Sequence, residues 1–219
     1  MTDAKELDGR RPGEEEEPLS ARGQRKWDQI LEGAGEVFTA EGFGGASVDE
    51  IARRAGISKA TMYRYFPDKA AIFNAYVRRE LARQSEQLLA IDLDHATLQE
   101  ALTQIARGYI AFKLSPFARS IYRIAVSESE RFPEIGQAFF ESGPDEARRR
   151  LAPVLAAAMA RSELAQGDAD VAAFQFFELC KAKLFYRSLF CRECDASDAT
   201  IQTQAELATR TFLKAYAPD

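Results

Sequence analysis

The chain has 219 residues, of which 46% are hydrophobic and 29% are charged, and its formal net charge is −5. This length can bury a core without a disulfide or a metal ion. The hydrophobic fraction is too high for a disordered chain. A membrane protein is excluded because no apolar run approaches the roughly 18 to 20 residues of a membrane span. The charged first 20 residues lack the apolar stretch of a signal peptide, so we expect a cytoplasmic protein.

The charge is unevenly distributed along the chain. Residues 1–19 carry three basic and seven acidic side chains, residues 20–79 carry ten basic and seven acidic ones, and residues 80–219 carry 16 basic and 20 acidic ones. The net positive segment begins with a basic cluster that includes Arg25. Such a cluster at the start of a helix is compatible with phosphate contact, although a solvated helix start is the commoner reason for it.

The first predicted element follows an acidic tail. Residues 1–19 contain a run of four glutamates and two prolines with few apolar side chains, and we predict that they are disordered. From Ser20, an N-cap, apolar residues recur every three or four positions up to Gly42, which predicts an amphipathic helix that ends at a glycine. Gly33 and Gly35 weaken this helix, so we expect a neighbour to pack closely against its backbone.

The next two predicted helices are short and are joined by a glycine turn. Ser47 caps the first, which ends at Gly56, and Ser58 caps the second, which spans residues 59–66. This arrangement is a helix-turn-helix in outline. A fourth helix over residues 68–90 follows a proline that is suited to its first turn.

The rest of the chain also predicts helices and contains no convincing strand pattern. Thr97 and Glu100 form a capping box, and prolines, glycines and polar caps mark the other boundaries. The predicted helices span residues 97–114, 116–131, 133–141, 143–164, 168–190 and 197–216. The sequence therefore predicts an all-α fold.

The second helix of a helix-turn-helix enters the DNA major groove and must expose short polar and small side chains. In the predicted helix over residues 59–66, Met62 and Phe66 are four positions apart and point inward. Lysine and arginine can donate to guanine, a methyl group can contact thymine, and side chains at the helix ends can reach phosphates. The predicted base contacts are Lys59, Ala60, Thr61 and Arg64, the predicted phosphate contacts are Tyr63, Tyr65 and Lys69, and Arg25 and Ser47 complete the predicted DNA-binding set.

These residues stand in a specific motif. Residues 56–69 read Gly-Ile-Ser-x2-Thr-Met-Tyr-x-Tyr-Phe-x-Asp-Lys, after the segments Val-Phe-x2-Glu-Gly-Phe and Ser-Val-x2-Ile-Ala-x2-Ala. The run over residues 25–73 resembles the N-terminal domain of the TetR family of bacterial transcriptional regulators. The resemblance implies a homodimer without a cofactor, which represses from a roughly palindromic DNA operator and leaves it when a small molecule binds.

The resemblance also implies a division of the chain. Residues 20–67 would form the helix-turn-helix DNA-binding domain, and residues 68–219 would form a larger helical domain for effector binding and dimerisation. The last two predicted helices, over residues 168–190 and 197–216, would pack against their copies in a four-helix bundle. Residues 117–143 are similar to the C-terminal domain of an AefR-like subset of the family.

An aromatic-rich middle segment provides the predicted wall of the effector cavity. Ligand pockets are mostly apolar with a few placed polar groups, so this segment indicates an apolar or aromatic effector; aromatic residues at helical spacing are also typical of an ordinary core. The predicted wall residues are Tyr109, Phe112, Phe117, Tyr122, Phe139, Phe140, Phe174 and Phe177. The polar candidates that would orient the ligand are Arg107, Arg123, Glu128 and Gln175.

Other functions have weaker support. Cys191 and Cys194 form a Cys-x2-Cys pair, with Cys180 eleven positions before the first, but a zinc site needs more ligands and His95 is the single histidine, so we predict no metal site. The sequence contains no phosphate-binding glycine loop and no Ser-His-Asp set, so we predict no enzyme activity. The alternative function is a DNA-binding regulator that responds to a protein partner or to thiol oxidation instead of a small effector.

Overall fold

The structure is a computed structural model that describes residues 20–88, 96–191 and 195–218. In these ranges the regular backbone is helical and no strand occurs, which confirms the predicted all-α fold. The helices are α1 (Ala21–Gly45), α2 (Val48–Arg54), α3 (Lys59–Tyr65), α4 (Lys69–Leu88), α5 (Leu98–Leu114), α6 (Pro116–Glu128), α7 (Pro133–Phe140), α8 (Glu146–Ala160), α9 (Ala169–Phe190) and α10 (Asp198–Ala215). None of these described helices has the length and apolar character that crossing a bilayer requires. The predicted acidic tail, residues 1–19, and the end of the predicted helix over residues 68–90 lie outside the described residues.

Capping side chains begin the helices where the sequence predicted them. Ser47 Oγ accepts a hydrogen bond from the Glu50 N–H at 3.1 Å, and Ser58 Oγ accepts one from the Thr61 N–H at 3.1 Å. Asp68 caps α4 in the same way, so the preceding proline lies before the cap and not in the first turn of the helix. The other predicted caps that accept a backbone hydrogen bond are Ser20, Thr97, Asp168 and Ser197.

The first of two compact units ends at Tyr76, and its described part begins at Ser20. Its core contains the fully buried side chains Ile30, Leu31, Phe38, Ile51, Met62 and Phe73. A Cβ atom on Gly33 would lie 2.7 Å from the backbone nitrogen of Ala55, and one on Gly35 would lie 2.6 Å from the Tyr76 ring. The expected close packing at both glycines is therefore confirmed.

The second unit begins at Val77 and buries a larger core. Helix α5 packs against α9 and α10, and α8 packs against α9. The central side chains of this core are Leu102, Ile105, Tyr109, Leu151, Leu155, Phe176 and Phe212. The predicted domain boundary after residue 67 stays a prediction; the compact units divide within α4.

Two features of the second unit differ from the sequence prediction. We expected Gly143 and Pro144 to separate two helices, but a π-helical turn, Glu141–Asp145, joins α7 to α8. A π turn shifts the backbone hydrogen-bonding pattern, which accommodates a proline because proline has no N–H to donate. Helix α9 is interrupted at Ala182, whose φ of 14° and ψ of −130° are not helical, and no helix-breaking residue marks this position.

Candidate DNA-binding surface and effector pocket

The turn between α2 and α3 depends on a glycine and a cap. Gly56 has a φ of 61°, a left-handed conformation that glycine adopts without strain. Ile57 in this turn is half-buried, and Ser58 then begins α3. Met62 and Phe66 are buried, so the predicted inward-facing pair of this helix is confirmed.

The remaining side chains of α3 are accessible to solvent to different degrees. Lys59, Ala60, Tyr63 and Arg64 are exposed, and Thr61 and Tyr65 are half-buried. Tyr63 is 49% exposed although it is a large aromatic residue. Helix α3 therefore presents the small and polar face that reading a major groove requires.

Two of the predicted base contacts already have partners in the free protein. The Lys59 ammonium lies 2.9 Å from the Asp49 carboxylate, and this hydrogen bond raises the pKa of Lys59. Thr61 Oγ1 lies 2.8 Å from Ser58 Oγ. Both pairs are solvent-exposed, and exposed ion pairs contribute little to stability, so DNA can compete with them.

Lys69 has a different environment from the one we predicted. Its ammonium donates hydrogen bonds to the carbonyl oxygens of Phe43 at 2.6 Å and of Ala46 at 2.8 Å, and it lies 4.5 Å from the centre of the Phe43 ring. These bonds direct the ammonium toward the backbone at the end of α1. Lys69 therefore holds the start of α4 against the segment that joins α1 to α2. We therefore reassign Lys69 from a phosphate contact to a residue that positions the helix-turn-helix.

The cations of α2 are paired within their own unit. Hydrogen bonds from Arg53, and then from Arg54, lower the pKa of the Glu50 carboxyl to about 2. Arg54 also reaches Glu36 on α1 at 2.9 Å. Arg25, by contrast, is exposed and forms no ion pair with a described residue, so its charge is available to an anionic partner.

In the second unit, a small pocket lies between α5 and α9. Its lining residues are Tyr109, Ile110, Lys113, Leu114, Cys180, Lys181 and Phe185, and they pack so closely that no room for a water molecule remains between them. Sites for drug-sized ligands measure roughly 300 to 1,000 Å³, so a ligand that binds here must displace some of the lining side chains. A wider surface groove near Thr97 and Pro153 contains none of the predicted wall residues.

Of the eight predicted wall residues, only Tyr109 lines this pocket. Five others are linked to its lining residues, or to one another, through ring and cation contacts: Phe112, Phe117, Tyr122, Phe139 and Phe177. The Tyr109 and Phe177 ring centres are 4.5 Å apart. The sequence prediction missed Phe185, whose ring packs edge-on against the Tyr122 ring with a centre-to-centre distance of 5.1 Å. The structure thus brings together side chains from α5, α6, α7 and α9.

The remaining predicted ligand residues lie outside both the pocket lining and these linked contacts. They are Phe140, Phe174, Arg107, Arg123, Glu128 and Gln175. Phe140 is 51% exposed and stacks with Phe174 at 6.4 Å. Arg123 donates to the carbonyl oxygen of Leu189 at 2.7 Å, an interaction that satisfies the end of α9.

The sequence prediction also missed the polar groups of the pocket. Lys113 is only 8% exposed, and burial, followed by the neighbouring charge of Lys181, lowers its pKa to about 8. Lys181 itself pairs with Glu178 at 2.5 Å. The sequence did contain a signal for the burial of Lys113. This lysine follows Tyr109 by one helical turn in an otherwise apolar run, so helical periodicity places both side chains on the buried face.

The cysteines differ in their surroundings. Cys180 is buried, and burial raises the pKa of its thiol, which disfavours the reactive thiolate. Cys191 is exposed, whereas Cys194 and His95 lie outside the described residues. Among the residues that the structure describes, no cluster of three or more histidine, cysteine or acidic side chains could hold a metal ion.

Two family models match this chain. The model described as bacterial regulatory proteins of the tetR family matches residues 30–76. The model described as the C-terminal domain of AefR-like transcriptional repressors matches residues 100–218, which is more than half of the chain. The chain belongs to the TetR family. The activity class predicted from the sequence, a DNA-binding transcriptional regulator and not an enzyme, is therefore confirmed.

Individual relatives and solved structures agree with this assignment. The structure of a TetR-family transcriptional regulator from Mesorhizobium loti MAFF303099 is similar with a TM-score of 0.83 and 26% identity, covering 90% of this chain and all of that one. The Flavonoid-responsive Regulator FrrA has a TM-score of 0.76 and 35% identity, with 89% of this chain and 98% of that chain covered. The uncharacterized HTH-type regulator Rv1255c of Mycobacterium tuberculosis is 40% identical over 62 residues. That match spans 28% of this chain and 31% of the curated relative's length.

Proposed function

We propose that this TetR-family regulator is a homodimeric repressor that binds a roughly palindromic operator and releases it when a small apolar or aromatic effector binds. The observation that carries the proposal is the exposed face of α3 behind a well-capped glycine turn. Residues 20–67 are assigned to DNA binding, and residues 68–219 to effector binding and dimerisation. The proposal includes a cytoplasmic location, where a bacterial operator is found.

The DNA contacts follow from side-chain chemistry on α3 and beside it. Lys59 and Arg64 suit guanine, Ala60 and Thr61 suit a thymine methyl, and the tyrosines suit phosphates. On binding DNA, Lys59 would leave Asp49 and contact a base edge or a phosphate. The loss costs little because the Lys59–Asp49 ion pair is exposed to solvent. The proposed contacts are Arg25, Ser47, Lys59, Ala60, Thr61, Tyr63, Arg64 and Tyr65.

A homodimer is supported by apolar side chains left exposed on the last two helices. Phe190 is 84% exposed, Tyr186 is 47% exposed and Leu207 on α10 is 43% exposed. A second copy packed on α9 and α10 would cover them, and exposed apolar patches are typical of such interfaces. Two α3 helices would then read half-sites that lie roughly 34 to 36 Å apart.

Effector control is supported by the aromatic surroundings of the pocket between α5 and α9 and by one relative. FrrA is named as a flavonoid-responsive regulator, and a flavonoid is an aromatic small molecule. Repression is supported by the description of the matching C-terminal family model, which names transcriptional repressors. An effector that binds better to the conformation unsuited to the operator shifts the population away from DNA.

Mobility-shift titrations on operator and random DNA test the assigned contacts. We expect Lys59→Ala and Thr61→Ala to reduce the preference for operator over random DNA by about tenfold, because these residues read bases. We expect Tyr63→Phe to weaken binding to both DNAs equally, because a phosphate contact carries no sequence information. Gln104→Ala, at an exposed position of α5, serves as the control. Equal losses on both DNAs for all three variants would contradict the assignment of base contacts.

A further inference from the structure

Lys113 is a largely buried cation whose ammonium contacts aromatic rings instead of an acidic side chain. It lies in the last turn of α5, is 8% exposed and forms no hydrogen bond or ion pair with the described residues. Its Nζ atom lies 5.2 Å from the ring centre of Tyr109, 5.9 Å from that of Phe112 and 5.8 Å from that of Phe139. An ammonium group offers three donors and no acceptor, so the rings partly stabilise its charge, but no described side chain or carbonyl group accepts a hydrogen bond from it.

The charges around Lys113 do not neutralise it. On α9, Lys181 lines the same pocket, and its ammonium pairs with Glu178 at 2.5 Å, so these two charges largely cancel. The remaining titratable neighbours are the Tyr109 hydroxyl and the Cys180 thiol, and burial raises the pKa of both, which keeps them neutral. The pocket therefore carries a net positive charge, and burying an unpaired charge is costly. Ionisable groups perturbed by burial are enriched at functional sites.

We propose that Lys113 anchors an acidic group of the effector, a carboxylate or a phenolate, while the surrounding rings contact its aromatic body. The proposal rests on the proposed function and specifies the effector class as an aromatic acid. An anion supplies the acceptor that the ammonium lacks, and a charge-assisted hydrogen bond is among the stronger polar interactions. The lining side chains leave no room for a water molecule in the unliganded chain, so they must move apart to admit the acidic group.

Calorimetric titration with 2-naphthoate and its neutral counterpart 2-naphthamide tests the anchor on the full chain. We expect wild-type protein to bind 2-naphthoate at least about tenfold more tightly than 2-naphthamide, and Lys113→Met to abolish that preference. Lys181→Met should reduce the preference less, because Glu178 already neutralises that lysine. Arg107→Met, which changes an exposed cation of the same helix, should bind both probes like wild type.

The pH dependence of binding separates an anchor from a merely structural lysine. Because the pKa of Lys113 is about 8 in the unliganded protein, we expect the affinity for 2-naphthoate to fall about tenfold between pH 7 and pH 9, with that for 2-naphthamide unchanged. The pH dependence should be absent in Lys113→Met. Equal binding of the two probes to wild type, no binding of 2-naphthoate, or a preference that survives in Lys113→Met would overturn the anchor. Operator binding by the wild-type protein is measured in parallel, and its absence would contradict the proposed function instead.

Discussion

Replacing Lys113 with methionine tests the electrostatic state of the pocket without any ligand. Methionine is similar in length and uncharged, so Lys113→Met removes the ammonium and nearly preserves the packing. Burial, and then the charge of Lys181, lowers the pKa of Lys113 from its ordinary 10.5 to about 8 in the folded chain. Between these two values the unfolded chain retains a proton that the folded chain has released. The free energy of unfolding of the wild-type protein therefore rises with pH across this window.

The size of the effect follows from the lowered pKa of Lys113. Each pKa unit corresponds to about 1.4 kcal/mol, so the charged lysine destabilises the folded chain by about 3 kcal/mol at pH 7. Roughly 2 kcal/mol of this is regained by about pH 9.5. Burial raises the pKa of Tyr109 and of Cys180, and these groups act in the opposite sense at alkaline pH. Both groups are present in wild type and variant, so comparing the two proteins removes their contribution.

Urea unfolding followed by far-ultraviolet circular dichroism measures this difference at one protein concentration. We expect Lys113→Met to be more stable than wild type at pH 7 by about 3 kcal/mol, and the difference to shrink by roughly 2 kcal/mol at about pH 9.5. Arg107→Met, with its exposed cation, should show no such change with pH. A Lys113→Met protein that is less stable than wild type at both pH values, or a difference that is independent of pH, would refute the reasoning.

Three further predictions concern stability and assembly. Gly33→Ala should lower the melting temperature by an amount equivalent to about 1 to 3 kcal/mol, because the added Cβ would lie 2.7 Å from the Ala55 nitrogen. Helix propensity alone predicts a gain in stability, so a higher melting temperature would contradict close packing. Lys69→Met should cost about 2 to 4 kcal/mol in chemical unfolding, since two hydrogen bonds from a charged donor and a ring contact are lost, whereas unchanged stability would return Lys69 to a phosphate role. Phe190→Glu should convert the dimer to a monomer in light scattering and weaken operator binding, and an unchanged mass would exclude this face as the interface.

Local chemistry explains why much of the fold could be predicted. Ser58 and Thr97 cap their helices through side-chain bonds to residues three positions away, so short sequence segments contain the information. The close packing at Gly33 was also predictable, because glycine inside a helix otherwise costs stability. The π-helical turn Glu141–Asp145 was not predictable, since Gly143 and Pro144 favour a break between helices and the chain instead continues through them. The interruption at Ala182 was not predictable because no local breaker specifies it.

The candidate sites show the same limit. The outward face of α3 follows from helical periodicity, because Met62 and Phe66 fix which side is buried. The interactions of Lys69 depend on carbonyl groups more than 20 positions earlier, and no periodic pattern reports such a contact. Lys113 and Lys181 line one pocket only because α5 packs against α9. Sequence composition located the aromatic segment, but the packing of distant helices decides which side chains line the pocket.

The most direct test of the whole account is a quantitative mobility-shift titration on the DNA that flanks this protein's own gene, with and without a panel of aromatic acids and their neutral amides. We predict a shifted band with this DNA but not with random DNA at physiological salt. An aromatic acid should abolish the shifted band at concentrations where its amide has no effect. A protein that does not prefer this DNA, or a specific band that no compound dissolves, would contradict a ligand-responsive repressor.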